Sequence, residues 1–199
     1  MSRTLEEAAL EASTCTRCRL AQGRTQVVYG VGDPSADLMF IGEAPGFHED
    51  KQGEPFVGAA GQLLNRMLAE VEIPRSDVYI NNVILCRPPG NRDPLDDELT
   101  ACKPWLDERI QIIDPAVIVT LGNWATRYIL GKQVSITRVR GQRFPWNGRT
   151  VIPTFHPAAI LHGGGESSNQ MTALRADFQE MKRALGERPA PTEEQLGLF

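Results

Sequence analysis

Gly42-Glu-Ala-Pro-Gly-Phe-His-Glu-Asp-Lys-Gln-Gly-Glu-Pro-Phe-Val-Gly58 is the most informative stretch of this sequence. It follows the apolar run Leu38-Met39-Phe40-Ile41, which predicts a buried strand, and a helical pattern begins after it at about Ala59. A glycine-rich loop between the carboxyl end of a strand and a helix is where open α/β sheets bind their ligands. The alternative is a tight connection whose acids face solvent. Position and composition favour a binding loop.

Apolar runs and helical patterns alternate along the chain, which predicts a mostly parallel sheet covered by helices on both faces. Strands are predicted at residues 27–29, 38–41, 78–85, 117–121, 142–146 and 149–152, the last two joined by an Asn147-Gly148 hairpin turn. Helices are predicted at residues 5–12, 59–73, 102–110, 124–128 and 171–185. Residues 30–34 are predicted to form a turn, because no third glycine follows at the spacing of a dinucleotide-binding loop.

Length and composition indicate one domain. The 199 residues suffice for a single well-buried core, and a hydrophobic fraction of 41% is ordinary for such a chain. We assign residues 1–185 to this domain and residues 186–199 to a tail. The apolar runs are too short to span a bilayer, and the N-terminus is polar and acidic, unlike a signal peptide. We therefore expect a cytoplasmic monomer that does not contact a membrane.

Positive charge is concentrated between residues 131 and 150, although the net charge of the chain is −4. Screening confines charge interactions to about 10 Å, so a local basic strip on an acidic protein can meet a phosphate backbone. The alternative is a solvated basic hairpin. This basic strip contains no acid and five cations, which are Lys132, Arg138, Arg140, Arg143 and Arg149.

Four cysteines come from three separate segments of the chain: Cys15, Cys18, Cys86 and Cys102. Disulfides are rare in cytosolic proteins, so the Cys-x-x-Cys pair indicates redox chemistry or metal binding. A thioredoxin-like pair would lie between a strand and a helix and would not need the other two cysteines. Four thiolates suit a zinc ion or an iron–sulfur cluster, and ligand softness does not choose between them. Four unrelated buried thiols are the alternative.

Several motifs follow one another along the chain. They are the Cys15/Cys18 pair, Gly42-Glu43-Ala44-Pro45-Gly46, Glu49-Asp50, Pro55-Phe56-Val57-Gly58, Asn82, Cys86-Arg87-Pro88-Pro89, Asn91-Arg92, Cys102 and His156-Pro157-Ala158. Taken in order, these motifs resemble those of the family 4 uracil-DNA glycosylases, the iron–sulfur members of their superfamily. The resemblance covers nearly everything from Cys15 to about Leu185. It implies a three-layer α/β/α sandwich around a four-stranded parallel sheet, with a [4Fe–4S] cluster that the four cysteines hold and that orders loops near DNA.

The resemblance implies an enzyme that hydrolyses the N-glycosidic bond of uracil in single- or double-stranded DNA and leaves an abasic site, as in base excision repair. Such enzymes extrude the base into a narrow pocket. Phe56 would stack on the uracil, or alternatively pack within its loop. Asn82 would bond uracil O4 and N3–H through its amide. The alternative role of a strand asparagine, capping a backbone group, suits Asn81 better. His156, neutral or charged, would donate to O2 and stabilise the departing anion.

The acids of the loop have several candidate roles. Other uracil glycosylases keep an aspartate where this chain has Ala44, so Ala44 is expected to line the uracil pocket without supplying a carboxylate. By resemblance Glu43 also lines the pocket, through its backbone or side chain, and belongs to the catalytic set. Glu49 would orient water or fill the space beside uracil C5, and Asp50 would do the same or brace the loop.

Residues that follow His156 are expected to enter the DNA. Leu161 or Ile160 would form an apolar wedge that holds the flipped base out, and ordinary helix packing is the alternative. Many family members carry an arginine where this chain has His162, which puts one phosphate contact in doubt. Further DNA contacts are expected from Arg92, Arg138 and Arg140.

Two absences in the sequence bear on the reaction. Residues 88–99 contain no histidine of the kind that traps a related branch on DNA, so turnover is expected. The site motifs supply no lysine for a Schiff base, which predicts a monofunctional glycosylase. The rival hypothesis is a nonenzymatic four-cysteine module that binds DNA or transfers electrons.

The end of the chain resembles a docking motif. Residues 186–194 have the composition of a disordered linker. The terminal pentapeptide resembles the Gln-Leu-x-Leu-Phe motif by which bacterial replication and repair proteins bind the sliding clamp, and an apolar terminus folded back on the domain is the alternative. Association with the nucleoid would follow. The docking residues would be Gln195, Leu196, Leu198 and Phe199.

Overall fold

Four parallel strands form the centre of the molecule. The computed structural model describes residues 3–131 and 133–187. Its strands are β1 (Val31–Gly32), β2 (Leu38–Gly42), β3 (Tyr79–Asn82), β4 (Val117–Leu121), β5 (Phe144–Trp146) and β6 (Arg149–Thr154). Within the described residues they pair in the order β1-β3-β2-β4-β6-β5. The inner four are parallel and the two edge strands antiparallel, so the predicted four-stranded parallel sheet is confirmed and short strands extend it on both sides.

Helices cover both faces of this sheet. They are α1 (Leu5–Ser13), α2 (Phe47–Gln52), α3 (Ala59–Glu70), α4 (Asp96–Ile113), α5 (Gly122–Leu130), α6 (Ile136–Val139), α7 (Pro157–His162) and α8 (Asn169–Gly186). The last two follow β6, and α2 and α3 follow β2. Helix α2 was not predicted from the sequence.

Side chains of the inner strands alternate between two hydrophobic cores, as a strand requires. In β2, Phe40 belongs to the first core, where it stacks on Phe178 of α8 with ring centroids 5.9 Å apart. Met39 and Ile41 point the other way into the second core, with Trp105 of α4. Helices α3, α6, α7 and α8 complete the first core, and α1, α4 and α5 complete the second. The result is the expected three-layer α/β/α sandwich.

The direction of chain crossing changes at β2, which has β3 on one side and β4 on the other. Open sheets bind ligands outside the carboxyl ends of strands at such a switch point. Gly42 and Asn82 are paired there in register, as are Leu121 and Thr154 of the neighbouring strands. The loops that leave these four positions therefore border one crevice.

The hairpin predicted around Asn147-Gly148 is confirmed. Strands β5 and β6 pair antiparallel, and Trp146 lies opposite Arg149. Asn147 and Gly148 have φ values of 47° and 75°. Two consecutive positive φ angles are what a type I′ turn needs, which is why Asn-Gly is favoured there.

Two strand predictions differ clearly from the structure. No strand forms at residues 27–29, and the edge strand β1 lies where a turn was predicted. Gly32 permits this pairing, because a Cβ there would lie 1.9 Å from the carbonyl oxygen of Val78. The strand predicted at 78–85 ends at Asn82, after which Val83 N–H and Ile84 N–H donate to the carbonyls of Gly42 and Glu43 at 2.9 and 3.2 Å.

In residues 3–131 and 133–187, no helix combines the length and apolar character that crossing a membrane requires. The docking motif predicted at Gln195–Phe199 lies outside the described residues, as does Lys132 of the basic strip.

Candidate active site

A cavity of about 380 Å³ opens at the carboxyl ends of β2, β3 and β6. The loops after these strands bring together side chains that are far apart in the sequence, as the resemblance implied. We call it the base cavity. Of the predicted site residues it is lined by Glu43, Ala44, Glu49, Phe56, Asn82, Arg92 and His156, and it is also lined by Pro88, Asn91, Ala158 and His162.

Gly42 allows two of these side chains to approach each other. A Cβ on Gly42 would lie 2.3 Å from Oδ1 of Asn82 and 2.7 Å from Cζ of Phe56. Real Cβ atoms do not tolerate such contacts, since both distances are far inside van der Waals separation. The first glycine of the loop is therefore a steric requirement of the cavity.

Phe56 borders both the first core and the base cavity. Its ring is 5% exposed, and its centroid lies 5.6 Å from that of the His156 ring at an interplanar angle of 32°. Its backbone has φ 55°, an uncommon value for a bulky residue, and α3 packs so closely that a Cβ on Gly61 would lie 1.7 Å from the Phe56 carbonyl oxygen. The loop is thus held in a strained conformation that presents the ring to the cavity.

Asn82 carries an acceptor that no described group satisfies. The side chain is 1% exposed, and Oδ1 has no hydrogen-bond partner among the described residues. An orphaned buried acceptor costs roughly 1–3 kcal/mol, which a ligand N–H would recover. The capping role expected of Asn81 is wrong, because neither amide atom of Asn81 has a partner within the same residues.

The proton on His156 can be assigned from its surroundings. His156 precedes α7, and the Ala158 backbone N–H donates to Nδ1 at 3.2 Å. Burial lowers the pKa of the imidazole to about 4, an effect that the nearby Glu49 carboxylate only partly opposes. The ring is therefore neutral near pH 7, with its proton on Nε2 as a hydrogen-bond donor.

The carboxylates of the loop have separate surroundings. Oε1 of Glu49 accepts from the backbone N–H groups of Val57 and Gly58 at 3.0 and 2.9 Å, so Glu49 braces the turn before α3. Asp50 is buried and accepts from the Thr25 N–H at 2.9 Å, outside the group that lines the cavity. Burial, with a smaller effect of Asp93, raises the pKa of Glu43 to about 7. Glu43 is the carboxyl poised to titrate in the base cavity.

Residues Ile160 and Leu161 of α7 separate into two roles. Ile160 is 1% exposed and belongs to the first core, so the wedge prediction for it is corrected. Leu161 is 39% exposed. His162, where an arginine was noted as usual, lines the base cavity. The surface that faces outward from α7 therefore carries Leu161 and not its neighbour.

Three cations of the basic strip have acidic partners elsewhere in the fold. Arg140 donates from Nε to the buried Asp177 at 2.9 Å, and Asp177 also accepts from the Thr154 hydroxyl at 2.6 Å. Arg143 pairs with Glu180 and Glu187, and Arg149 pairs with Asp114. The structure thus gives Arg140 a structural role in place of the predicted DNA contact, whereas Arg138 is exposed.

The four predicted metal ligands Cys15, Cys18, Cys86 and Cys102 line one small cavity beside the second core. Burial raises the pKa of the Cys102 thiol to about 12 and raises that of Cys86, so a bound metal would have to drive their deprotonation. Within the described ranges, no group of three or more His, Cys, Asp or Glu side chains is placed to hold a metal ion. The donor set nevertheless fits a soft metal centre.

Two hydrogen bonds point at the sulfur atoms of this cavity. Nη1 of Arg24 lies 3.4 Å from Sγ of Cys86 and donates to the carbonyl of Cys15 at 2.6 Å. Trp105 donates from Nε1 to Sγ of Cys15 at 3.4 Å. Donors aimed at sulfur stabilise thiolates and tune the metal that they bind. The cysteine cavity therefore has the surroundings of a thiolate site.

Comparison with known proteins agrees with this geometry. Residues 29–179 match the family model described as "Uracil DNA glycosylase superfamily". The chain belongs to this superfamily. It is 47% identical to a type-4 uracil-DNA glycosylase of Sulfurisphaera tokodaii, over 90% of this chain and 84% of the relative. It is 52% identical to a type-4 uracil-DNA glycosylase of Thermotoga maritima, over 74% of this chain and 78% of the relative, and 43% identical to another of Saccharolobus solfataricus, over 93% and 88%.

Sequence reasoning missed one residue that connects the two sites of this uracil-DNA glycosylase family member. Arg109 of α4 is fully buried and donates to the carbonyls of Tyr29, Asn82 and Trp105. A signal was present. The helical spacing of the buried face of α4 includes position 109, where a cation interrupts an otherwise apolar series of Cys102, Trp105, Leu106, Ile110 and Ile113.

Proposed function

We propose that the chain is a monofunctional uracil-DNA glycosylase, which hydrolyses the N-glycosidic bond of deoxyuridine in DNA and leaves an abasic site for base excision repair. The observation that carries the proposal is the base cavity, where the Phe56 ring, the buried Asn82 amide and a neutral His156 converge. A base inside a duplex cannot reach such a cavity, so the nucleotide must be extruded first.

Recognition of uracil would depend on Asn82 and Phe56. The free Oδ1 of Asn82 can accept from N3–H of uracil while its NH₂ group donates to O4. Cytosine presents an amino group at C4 and an unprotonated N3, which mismatches both contacts. The flat face of Phe56 adds stacking, which is tolerant of the kind of base and therefore contributes affinity more than selectivity.

Departure of uracil would depend on His156. Breaking the N-glycosidic bond leaves negative charge on the base, and a fixed donor at O2 stabilises it. With Nδ1 engaged by the Ala158 N–H, the proton on Nε2 is the one available to O2. A neutral donor suits this role, because it holds the anion without transferring a proton to it.

The sugar acquires positive character in the same step, which a carboxylate can stabilise. Glu43 lines the base cavity and is ionised above pH 7, whereas Glu49 is engaged in bracing the turn before α3. Ala44 supplies no acid at the position where other uracil glycosylases have one. We assign charge stabilisation and orientation of water to Glu43 and positioning of the loop to Glu49.

We also propose that Cys15, Cys18, Cys86 and Cys102 hold a [4Fe–4S] cluster, with structural zinc as the alternative. The cluster would cross-link three chain segments and order the loops near DNA. All four thiols around one cavity support it, as do the donors Arg24 and Trp105. Iron and sulfide analysis of the purified protein distinguishes the two, since equimolar zinc with no iron would overturn the cluster.

The test of the activity is release of free uracil from a uracil-containing oligonucleotide. Wild-type protein should release uracil and leave an alkali-labile site, without cleaving the strand itself. His156→Ala should lose most of the rate at unchanged DNA affinity, and Asn82→Asp should lose recognition. Leu10→Ala, at an exposed position of α1, is the matched control. Absence of uracil release by the wild-type protein would overturn the proposal.

The tail suggests where the enzyme works. We propose that a cytoplasmic, nucleoid-associated monomer docks on the bacterial sliding clamp through Gln195–Phe199. Support comes from three apolar residues at the end of a polar segment. Deleting these five residues should abolish clamp binding in a sedimentation or surface-binding assay while uracil release from short oligonucleotides stays unchanged. Equal clamp affinity before and after the deletion would contradict docking.

A further inference from the structure

An exposed aromatic side chain stands at the rim of the base cavity. Phe47 begins α2 and is 48% exposed. Gly46, which precedes it in the chain, and Glu49, two residues after it, line the cavity. Leu10, Leu95 and Leu161 are the other large hydrophobic residues with comparable exposure in the described chain, so Phe47 is the aromatic one among them. Single exposed apolar residues are ordinary on a protein surface, but an exposed aromatic ring beside a ligand cavity is a candidate binding contact.

Two cations flank this ring. The guanidinium carbon of Arg87 lies 5.1 Å from the Phe47 centroid, and Nζ of Lys51 lies 5.7 Å from it. The His48 ring packs against the Phe47 ring in an edge-to-face contact, with ring centroids 5.4 Å apart and an interplanar angle of 85°. Cations beside an aromatic face are attracted to it and hold it in place. Since the residue remains 48% exposed beside these groups, this arrangement leaves room for a further partner.

Arg87 is itself fixed relative to the base cavity. Its Nε donates to Oδ1 of Asn91 at 2.7 Å, and Asn91 lines the base cavity. This contact uses one of the five N–H groups of the guanidinium. Arg87 also lines a neighbouring cavity of about 420 Å³, together with Arg19 and Arg92. Pro88 and Arg92 line both cavities, so the two cavities adjoin each other. Arg92 pairs with the buried Glu98 and Arg19 pairs with Asp97, whereas Arg87 and Lys51 are the cations that lie beside Phe47.

We propose that Phe47 is a stacking site for the nucleobase that is adjacent in the strand to the extruded uridine, with Arg87 and Lys51 on the phosphates of that nucleotide. The inference rests on the proposed function. Sites that bind single-stranded nucleic acid without reading its sequence combine exposed aromatic faces with cations along the backbone. The rim beside the base cavity has both. A strand whose uridine enters the cavity must cross the rim of the cavity, because its phosphates cannot enter with the base. The cations beside Phe47 favour this part of the rim.

Charge favours a nucleic acid over a protein partner at this site. The cations Arg87 and Lys51 lie beside the ring, and they favour a partner that carries negative charge next to a flat apolar face. A nucleotide has this combination in one unit. Stacking of a base on an aromatic ring contributes roughly tenfold in affinity for each base.

The experiment combines protein variants with substrates that lack one base. Single-stranded oligonucleotides carry uracil flanked by normal nucleotides, or by an abasic analogue on the 5′ side or on the 3′ side. Uracil release is measured for wild type, Phe47→Ala, Phe47→Tyr and the control Leu10→Ala. We expect the KM of the wild type to rise roughly tenfold when the base on one particular side is missing.

The variants decide whether Phe47 causes that dependence. Phe47→Ala should have the raised KM on the normal substrate and show no further rise when the neighbouring base is missing. Phe47→Tyr should restore the dependence, and Leu10→Ala should behave as wild type. Equal rises in KM for wild type and Phe47→Ala on the abasic substrates would overturn the stacking site. A wild-type KM that is unchanged on both abasic substrates would also overturn it.

Failure of this inference is distinguishable from failure of the proposed function. A protein that releases uracil equally well whatever its neighbours are retains the glycosylase activity and lacks the stacking site. A protein that releases no uracil from any of the substrates lacks the activity itself. A change in kcat alone for Phe47→Ala would place Phe47 in the base cavity and would also contradict the stacking site.

Discussion

Arg109 donates from Nη2 to the main-chain carbonyl oxygen of Asn82 at 3.1 Å. The donor lies on α4, which also carries Cys102, and the acceptor ends β3, where its side chain faces the base cavity. The same guanidinium donates to the carbonyl of Tyr29. A single buried cation therefore connects the helix of the cysteine cavity to the strand that presents the Asn82 amide to the base cavity.

Replacing Arg109 by Met should lower the free energy of unfolding by roughly 3 kcal/mol, because the buried carbonyls of Tyr29 and Asn82 lose their donor. Denaturant unfolding measures this change. Arg109→Lys keeps the charge and one donor. It should therefore lose less stability than Arg109→Met and retain more of the uracil-release activity. Arg17→Met, on a half-exposed side chain over Trp105, is the control. A loss of less than 1 kcal/mol for Arg109→Met would contradict this role.

Gly42→Ala should reduce uracil release by roughly two orders of magnitude, because displacements near 1 Å in a site have effects of that size. The new methyl group would lie 2.3 Å from Oδ1 of Asn82, so the amide or the Phe56 ring must move. Initial rates with a uracil-containing oligonucleotide measure the effect. Gly23→Ala is the matched control, since its φ is −113° and nothing lies within 4 Å of the added Cβ. Similar rates for both variants would refute the steric requirement.

Glu43 should determine how activity depends on pH near neutrality. Its pKa of about 7 means that the carboxylate is lost as pH falls through 7, so kcat/KM should fall by roughly tenfold per pH unit below that point. Glu43→Gln should have a lower plateau and no such inflection. Stability should change in the opposite direction. The folded state binds the proton of the Glu43 carboxyl more tightly than the unfolded state does. The stabilisation from this proton is therefore present below about pH 4.5 and is lost as pH rises to 7.

His156 should contribute no inflection to activity between pH 5 and 8, because its pKa is about 4 in the fold. The Glu43→Gln variant lacks the Glu43 carboxylate, so its pH profile shows the contribution of His156 alone. The activity of this variant should be constant between pH 5 and 8. The unfolded histidine titrates near 6.5, so between about pH 6.5 and 4 the unfolded state binds more protons and stability is lost as pH falls. The difference in unfolding free energy between wild type and His156→Gln should follow that window. An acid limb of activity near pH 6.5 in Glu43→Gln would refute a neutral His156.

Local patterns predicted much of this fold, whereas the residues expected in the site came mainly from the family resemblance. Hydrophobic runs located β2 and β4, and the Asn-Gly sequence located the hairpin at Asn147-Gly148. Both signals depend only on residues that are close together in the sequence. The positions that failed depend on long-range packing. Ile160 and Leu161 are one residue apart on α7, and only the position of the first core decides which of them is buried. Likewise, Arg140 looked free in the sequence because its partner Asp177 lies 37 residues away.

The cysteine cavity offers a last test that does not depend on uracil release. Arg24→Gln removes a charged donor 3.4 Å from Sγ of Cys86, and loss of such a donor typically weakens metal binding by roughly ten- to a hundredfold. The variant should therefore lose iron to a chelator faster than wild type, which is measured by iron content and by the visible absorption of the protein. Arg138→Gln, an exposed position away from the cysteines, is the control. Because Arg24 also donates to the carbonyl of Cys15 at 2.6 Å, Trp105→Phe is a second variant, which removes the hydrogen bond to Sγ of that cysteine and keeps an aromatic ring at this position. Iron retention equal to wild type in both variants would contradict a metal centre tuned by these donors.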